Sequence, residues 1–351
     1  MKYILELSNW YRDWELVNKA AVEADRLGFW GIAMPDHYLR AEGRDDATLD
    51  SWIALAHLAS RTNSIHLGTM VTPIPFRPPA ILAKMVATLD VISNGRTFLG
   101  VGAGWSKREF EAYSEWNEPF VRVSKTEEGI RLILGLWTKR KAEFQGKYYH
   151  SKGGILEPKP IQKPHPPLLF GGTGPRMLKL AGMYGDIIFL PAEIKPSFNQ
   201  AKDIVLKTAK ESKRTTRFSF AATSPSNIGG VSGSKYDPKT HREAVLEAEN
   251  NGCEYFVLSF PADGLFKSMS DFARDDALNR MAQTVVVTNY GYQNRYQLRI
   301  PKEVDARNTR VKNWTILSDW LRMWLVRGRV DWGSCFYGFK HFHCYLRKPL
   351  R

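Results

Sequence analysis

Residues 67–104 read LGTMVTPIPFRPPAILAKMVATLDVISNGRTFLGVGAG, and this stretch decides the fold. It opens inside a β-branched apolar run, residues 65–72, that predicts a strand. Pro73 ends the strand because proline cannot donate to a sheet ladder. The apolar spacing then changes to that of a helix, whose buried stripe comprises Ile81, Leu82, Met85, Val86 and Leu89.

A second strand completes this unit. Asn94-Gly95 ends the helix, and the apolar run 96–101 predicts a strand, so the stretch indicates a parallel βαβ unit. Further strands are predicted at 3–7, 29–35, 168–170, 186–191, 217–223 and 255–260. The helices between them are predicted at 14–27, 48–60, 107–113, 125–137, 175–184, 201–212 and 241–250. Eight strands alternating with helices predict an α/β protein with a TIM (β/α)8 barrel.

Two stretches interrupt this alternation. Residues 144–160 have the alternation and glycines of an inserted β-hairpin, and residues 224–239 have the composition of a mobile loop. A chain of 351 residues with 43% hydrophobic content accommodates one barrel of about 250 residues and an appendage. Two ordinary domains are the alternative.

The charge of the chain is unevenly distributed. Fourteen Lys/Arg against six Asp/Glu fall in residues 275–351, so this tail carries +8 of the formal net charge of +14. Such a balance favours anionic ligands or surfaces. The three cysteines, Cys253, Cys335 and Cys344, form no spaced framework, which indicates a reducing compartment. Because neither a signal-peptide core nor a run of about 20 apolar residues occurs, we expect a cytoplasmic protein without a membrane span.

The tail also differs in its aromatic content. Leu317, Trp320, Leu321, Trp324 and Leu325 fit one helical face, so a surface-binding or membrane-touching helix is one hypothesis. Its end, FYGFKHFHCYLRKPLR, interleaves aromatics with cations as single-strand nucleic-acid binders do. Cys335, His341, His343 and Cys344 fit no standard zinc spacing, so no metal site is predicted. An altered reading-frame product or a poorly ordered extension is the simpler interpretation.

A family resemblance joins these observations. LGTMVTPIPFRPPAILAKMVATLD followed by GRTFLGVGAGWSKREFEAY resembles the bacterial luciferase-like family of flavin and deazaflavin oxidoreductases, whose fold is a TIM barrel. The likeness continues in scattered blocks from Met1 to about Arg274. It divides the chain into a luciferase-like barrel, 1–274, and a basic, aromatic-rich tail, 275–351. Within the family the chain is most similar to enzymes that use coenzyme F420, a deazaflavin hydride carrier, although FMN-dependent members share much of the pattern.

A glycine-rich turn is the predicted phosphate site. Gly171-Gly172-Thr173-Gly174 leads from the fifth strand into a helix, where bare backbone N–H groups and the helix N-terminus favour an anion. The resemblance implies that this turn holds the cofactor phosphate. Arg176 is the nearest cation and joins the predicted site, although it could equally face solvent. A tight turn without a ligand is the alternative.

The pair Asp36-His37 is the predicted catalytic group. It follows the second strand, and ligands of parallel barrels bind at the carboxyl ends of the strands. A histidine there titrates near neutral pH and can exchange or stabilise a proton. The resemblance implies His37 as an acid/base or polarising group and Asp36 as an orienter or cofactor contact. A packed or loop-bonding histidine is the alternative.

The end of the third strand is the implied platform for a tricyclic ring. The resemblance places Thr69, Met70 and Val71 there, with a non-prolyl cis peptide bond between Met70 and Val71. Gly102 and Gly104 follow the next strand and complete the predicted cofactor site, because glycine lets a ligand come close. An ordinary trans strand end with Met70 in the core is the alternative.

Three positions near this site admit different roles. Trp105 stands where some deazaflavin dehydrogenases of the family carry a glutamate proton donor, which argues against their sugar-phosphate chemistry. Glu109 is predicted to be a solvated helix residue, with an inward orientation as the alternative. Arg77 either binds a cofactor anion or forms a structural salt bridge. The tryptophans that suggest an aromatic lining, or else simple core packing, are Trp10, Trp30, Trp105 and Trp116.

The predicted function is hydride transfer between coenzyme F420 and a small organic substrate. The alternative enzyme is an FMN-dependent monooxygenase that takes reduced flavin from a separate reductase and uses dioxygen. A non-catalytic flavin-binding barrel and a nucleic-acid-associated protein acting through its tail are alternatives of other classes. We expect a homodimer and no nucleic-acid partner.

Overall fold

The computed structural model describes residues 1–8, 13–39, 47–191, 195–223, 236–284, 286–290, 295–299, 331–338 and 341–347, with side chains up to residue 277. The chain divides into two compact units, Met1–Phe272 and Ala273–Arg351. The first unit contains the strands and helices of the predicted barrel.

The strands of the first unit form a closed parallel barrel. They are β1 (Lys2–Glu6), β2 (Gly31–Met34), β3 (His66–Thr69), β4 (Thr72–Pro73), β5 (Thr97–Gly102), β6 (Ala142–Gln145), β7 (His150–Gly154), β8 (Leu168–Phe170), β9 (Ile187–Phe189), β10 (Ser219–Thr223) and β11 (Cys253–Leu258). Eight of these described strands run β3-β2-β1-β11-β10-β9-β8-β5, and pairing of β3 with β5 closes the ring. The predicted TIM barrel is confirmed.

Helices alternate with these strands. They are α1 (Trp14–Leu27), α2 (Ser51–Arg61), α3 (Pro79–Ile92), α4 (Lys107–Tyr113), α5 (Pro119–Thr138), α6 (Pro175–Tyr184), α7 (Phe198–Glu211), α8 (Pro238–Asn250) and α9 (Leu265–Thr284), with a 3-10 turn at Ile74–Phe76. The Asp13 carboxylate caps α1 at one end, and Gly28 ends it with φ 83°. α5 begins at Pro119 rather than at the predicted Lys125, because proline is well placed in a first helical turn.

The stretch 67–104 forms the predicted strand–helix–strand unit. α3 stops where Asn94 and Gly95 take left-handed conformations, with φ 56° and 79°. The peptide bond between Met70 and Val71 is cis, as the resemblance implied. β3 ends at Thr69 and β4 pairs separately with β5, so the strand predicted over 65–72 is divided in two.

Apolar side chains fill the barrel interior. The interior cluster comprises Ile4, Ala33, Phe98, Leu169, Ile187, Ala221, Tyr255 and Val257. β3 and β5 approach closely beside it: a Cβ added to Gly100 would lie 1.8 Å from the backbone oxygen of Thr69. Only glycine fits at that position, since any larger residue would push the two strands apart.

Two smaller predictions concern the insertions. The hairpin predicted at 144–160 is confirmed as the antiparallel pair of β6 and β7. Of the loop predicted at 224–239, residues 224–235 lie outside the described residues, and Pro238 already begins α8. Within the described ranges, every helix is too short or too polar to cross a membrane.

The second unit contains antiparallel pairs. β12 (Val286–Tyr290) pairs with β13 (Arg295–Arg299), and β14 (Asp331–Gly338) pairs with β15 (His341–Arg347). The helical face predicted at 317–325 lies outside the described residues, as do the side chains of Cys335, His341, His343 and Cys344. Among the side chains that are described, no three metal-binding groups cluster. The hypotheses about the tail stay predictions.

The close approach of β3 and β5 predicts opposite effects for two Gly→Ala substitutions. Gly100→Ala should lower the free energy of unfolding by about 3 kcal/mol or more, because the new methyl group overlaps backbone. Gly135→Ala, inside α5 with the nearest neighbour at 4.0 Å, should raise it by up to about 1 kcal/mol. Urea unfolding of both variants measures the difference. Equal midpoints would contradict the strand packing.

Candidate functional site

A cavity of about 570 Å³ opens at the carboxyl ends of the barrel strands, where parallel barrels bind their ligands. Eight residues predicted for the site line it: His37, Met70, Val71, Gly102, Gly104, Gly171, Gly172 and Gly174. Four others, Asp36, Thr69, Thr173 and Arg176, are not part of the lining. The fold thus brings the histidine, the end of the third strand and the glycine turn to one cavity.

His37 is held by Glu109 on α4. Its Nδ1 lies 2.7 Å from Glu109 Oε2, and the backbone N–H groups of Tyr38 and Leu39 donate to Oε1 at 2.7 and 2.9 Å. One carboxylate therefore fixes both the imidazole and the chain that follows it. The prediction that Glu109 is solvated is wrong: the residue is 4% exposed, because α4 turns this side chain toward the barrel.

The ionisation of Glu109 determines the orientation of the imidazole. Burial alone would raise the pKa of Glu109. The hydrogen bond and charge of His37 and the two backbone N–H groups together lower it by more, so the net pKa lies below its ordinary value. An ionised carboxylate only accepts hydrogen bonds. Nδ1 of His37 is therefore the donor in this hydrogen bond.

Asp36 belongs to a buried network beside the cavity. Its Oδ2 accepts from Arg77 at 2.5 Å, Thr72 at 2.7 Å and Trp52 at 3.2 Å, and its Oδ1 accepts from Arg77 at 3.0 Å. Thr69 joins through a 2.9 Å contact with Thr72. Of the two roles predicted for Arg77, the structure shows the salt bridge. Asp36 and Thr69 thus belong to one buried network beside the lining of the cavity.

The side chain of Val71 lies between two glycines at the mouth. A Cβ on Gly102 would lie 2.5 Å from Val71 Cγ2, and one on Gly171 would lie 2.8 Å from Val71 Cγ1. Side chains at these glycines would collide with Val71. Glycine at the ends of the neighbouring strands β5 and β8 therefore has a steric reason: the Val71 side chain, just after β3, occupies the space that their side chains would need.

The glycine turn presents a helix N-terminus to the cavity. Gly174 is the N-cap of α6, has φ −64°, and has no atom within 4 Å of where a Cβ would be. The first N–H groups of a helix have no intrahelical acceptor, and they attract anions together with the helix dipole. The space on the Cβ side of Gly174 is open, so the phosphate role of this turn stays a prediction.

Of two arginines on α5 and α6, Arg122 lines the cavity, whereas the predicted Arg176 is not part of the lining. Arg176 donates to the backbone oxygen of Phe120 and to Ser124, both on α5, at 2.9 and 3.1 Å. Arg122 lines the cavity, is 8% exposed, and stacks 4.0 Å above the ring of Trp116. Sequence analysis missed it because its helix begins earlier than predicted, which placed residue 122 in a loop.

Glu6, at the end of β1, is a second residue that sequence analysis missed. It lines the cavity, is 8% exposed, and burial raises its pKa from 4.5 to about 7. The available signal was a carboxylate inside a strand that is otherwise buried from Tyr3 to Leu7.

Of the described tryptophans predicted to line the cavity, Trp105 alone does so. Trp105 lines the cavity, is 61% exposed, and lies edge-on to His37 at 5.4 Å. Trp30 packs against the interior cluster and stacks on His66, away from the lining. Trp116 packs on Phe110 and Arg122. Trp10 lies outside the described residues.

Comparison with known proteins adds a family match. A family model described as luciferase-like monooxygenase matches residues 11–229. The FMNH(2)-dependent dimethylsulfone monooxygenase of Pseudomonas putida is 33% identical over 187 residues, 53% of this chain and 50% of that protein. The F420-dependent glucose-6-phosphate dehydrogenase of Amycolatopsis mediterranei (strain U-32) is 31% identical over 208 residues, 56% of this chain and 61% of that protein. The chain thus spans between half and about three fifths of these relatives.

Solved structures show the same fold. An F420-dependent secondary alcohol dehydrogenase, in complex with an F420-acetone adduct, aligns with a TM-score of 0.66 and 20% identity, covering 77% of this chain and 98% of that chain. A coenzyme F420 dependent tetrahydromethanopterin reductase from Methanopyrus kandleri aligns with a TM-score of 0.63 and 21% identity, covering 78% and 97%. At these identities the similarity is one of fold.

The raised pKa of Glu6 predicts a pH-dependent stability difference. The stabilisation from the neutral carboxyl is complete below pH 4.5, decreases between pH 4.5 and about 7, and is lost above that. A shift of this size corresponds to on the order of 3 kcal/mol. Glu6→Gln should therefore match the wild type near pH 5 and be more stable at pH 8. Urea unfolding at both pH values checks this, and a pH-independent difference would contradict it.

Proposed function

Because this chain belongs to the luciferase-like monooxygenase family, we propose that it is an oxidoreductase that transfers a hydride between coenzyme F420 and a small organic substrate. The observation that carries the proposal is the shared cavity, in which His37, the end of β3 and the glycine turn before α6 meet. A reduced-FMN monooxygenase using dioxygen is the second candidate, supported by the similarity to the dimethylsulfone monooxygenase.

The residues of the cavity fit a phosphate-bearing cofactor. Gly174 and the first turn of α6, together with Arg122, would hold the anionic group. Met70, Val71 and the glycines Gly102 and Gly171 would hold the planar part, since those glycines leave room for the Val71 side chain. When bound, a deazaflavin or flavin supplies two-electron hydride chemistry that side chains lack.

His37 supplies proton chemistry in this proposal. The Glu109 carboxylate holds Nδ1 and stabilises a positive charge on the ring, so His37 can polarise or protonate an atom of the substrate. Glu109 acts through His37 and is a positioning residue. The neighbouring ring of Trp105 covers His37 on one side and provides an apolar surface for the substrate.

The remaining parts of the proposal concern partners and location. We propose that the protein forms a homodimer and acts in the cytoplasm. If it uses FMN, a separate reductase supplies the reduced flavin. The alternative of a flavin-binding barrel without activity differs in one respect: it binds the cofactor but shows no turnover.

Cofactor titration tests the proposal. Coenzyme F420 and FMN, each oxidised and reduced, are titrated into the full chain and binding is followed by fluorescence. Reoxidation of the bound reduced cofactor is then measured with small carbonyl compounds under nitrogen and with dioxygen. F420 binding with carbonyl-dependent reoxidation supports the first candidate, and FMN binding with oxygen-dependent product supports the second. Binding of neither overturns both.

Arg122 and Arg176 should differ in their effect on that binding. Arg122→Met removes a charge-assisted contact and should weaken cofactor binding about 10- to 100-fold. Arg176→Met, the matched control one helix away, should change it less than about threefold. Equal losses in the two variants would show that Arg122 has no special role. Circular dichroism verifies that both variants are folded.

Loss of the imidazole should affect turnover more than binding. His37→Ala should lower kcat about 100-fold or more and change the cofactor Kd less than about threefold, because a general acid or polarising group acts on the reacting atoms. Glu109→Gln keeps the imidazole but loses its orientation, so we expect an intermediate loss and a displaced pH profile of kcat. Unchanged turnover in His37→Ala would remove this residue from the mechanism.

A further inference from the structure

We propose that Glu6 is a catalytic residue, which delivers from the floor of the cavity the proton that accompanies hydride transfer to a neutral carbonyl substrate. This inference rests on the proposed function and deepens it, because it names a second proton-transfer group and the class of acceptor. The observations that support it are the position, the burial and the lack of partners of one carboxyl group.

The position of Glu6 follows from strand alternation. Glu6 is the last residue of β1, and its Cα pairs with Ala33 on β2. Ile4, two residues earlier, belongs to the interior cluster, and side chains two apart point to the same face of a strand. Glu6 therefore stands one step above the apolar cluster, inside the barrel, and forms part of the cavity lining together with His37 from the adjacent strand.

Glu6 is 8% exposed, faces the cavity and has no protein partner among the described residues. Among the described residues, no hydrogen bond or ion pair reaches its side chain. A buried polar group in that state costs stability, so it is poorly explained as a structural element. Asp36, buried just after the adjacent strand β2, shows the contrast because its carboxylate has three hydrogen-bonding partners.

Few charged groups surround Glu6. β2 contributes Ala33 at its level and β11 contributes Val257 and Leu258, all apolar. The other ionisable groups of the described lining are His37 and Arg122. Desolvation raises the pKa of Glu6 to about 7, so the carboxyl group holds and releases a proton near neutral pH.

The chemistry requires one proton besides the hydride. When a carbonyl carbon accepts a hydride from the reduced deazaflavin, the C=O π bond breaks and its electron pair moves to oxygen. The oxygen then takes the proton of the Glu6 carboxyl group. The substrate is reduced to an alcohol, the deazaflavin is oxidised, and Glu6 is left as a carboxylate that water reprotonates. A buried neutral acid favours a neutral acceptor, since an anionic substrate would be repelled by the carboxylate that forms.

Proton uptake on cofactor binding tests this without a substrate. Coenzyme F420, or FMN if the titration shows FMN binding, is bound to the full chain at pH 7.5 in buffers of different ionisation enthalpy, and calorimetry gives the protons taken up. A ligand that covers the cavity expels water, raises the pKa of Glu6 further, and should drive uptake of about 0.5 to 0.8 proton. Glu6→Gln should lose this uptake, whereas Glu6→Asp, which keeps an acid, should retain most of it.

A matched control and turnover complete the experiment. Glu254→Gln makes the same change on β11, where Glu254 pairs with the exposed Arg217, and should leave uptake and turnover unchanged. With any carbonyl compound that the wild type reduces, Glu6→Gln should lower kcat about 100-fold or more and abolish the decline of kcat above neutral pH that deprotonation of Glu6 causes. Equal proton uptake in wild type and Glu6→Gln would overturn the role of Glu6 while leaving the proposed function intact. Failure of both cofactors to bind would overturn the proposed function first.

Discussion

The buried carboxylate of Asp36 holds the wall of the cavity in one geometry. A charge removed from water must be paired, and Asp36 satisfies this with Arg77, Trp52 and Thr72. These partners come from α2, β4 and the segment after the 3-10 turn, so the ends of β2 and β3 are joined through one group. His37 follows Asp36 directly, so this network also fixes the position of the His37 backbone.

Glu6, which lines the cavity, and Glu109, which holds His37, have opposite environments. Glu109 receives two backbone N–H groups and the His37 ring, which together hold its pKa below the ordinary value. Glu6 receives no such donor, and burial raises its pKa to about 7. Environment therefore separates a carboxylate that is ionised at neutral pH, which orients His37, from a carboxyl group that can exchange a proton there. Neither property follows from residue type, because both are glutamates.

The sequence predicted the barrel well because strand endings have strong local signals. Asn94-Gly95 and Gly28 stop helices where the chain takes positive φ, and these residue types favour that conformation. The residues of the cavity were harder to predict from sequence, since their chemistry depends on which way each side chain faces. Seven residues of α4 give too little periodicity to show that Glu109 points inward.

Trp105 and Arg122 together limit the substrate that the proposed function accommodates. Arg122 is the only arginine or lysine among the described lining residues, and a cofactor phosphate in front of Gly174 would use it. Within the described cavity no second arginine or lysine then remains for a phosphorylated sugar. Trp105 adds an exposed apolar face beside His37 at the position where some family members carry a glutamate. A neutral, partly apolar substrate satisfies both constraints, and it leaves the proton chemistry to His37 and Glu6.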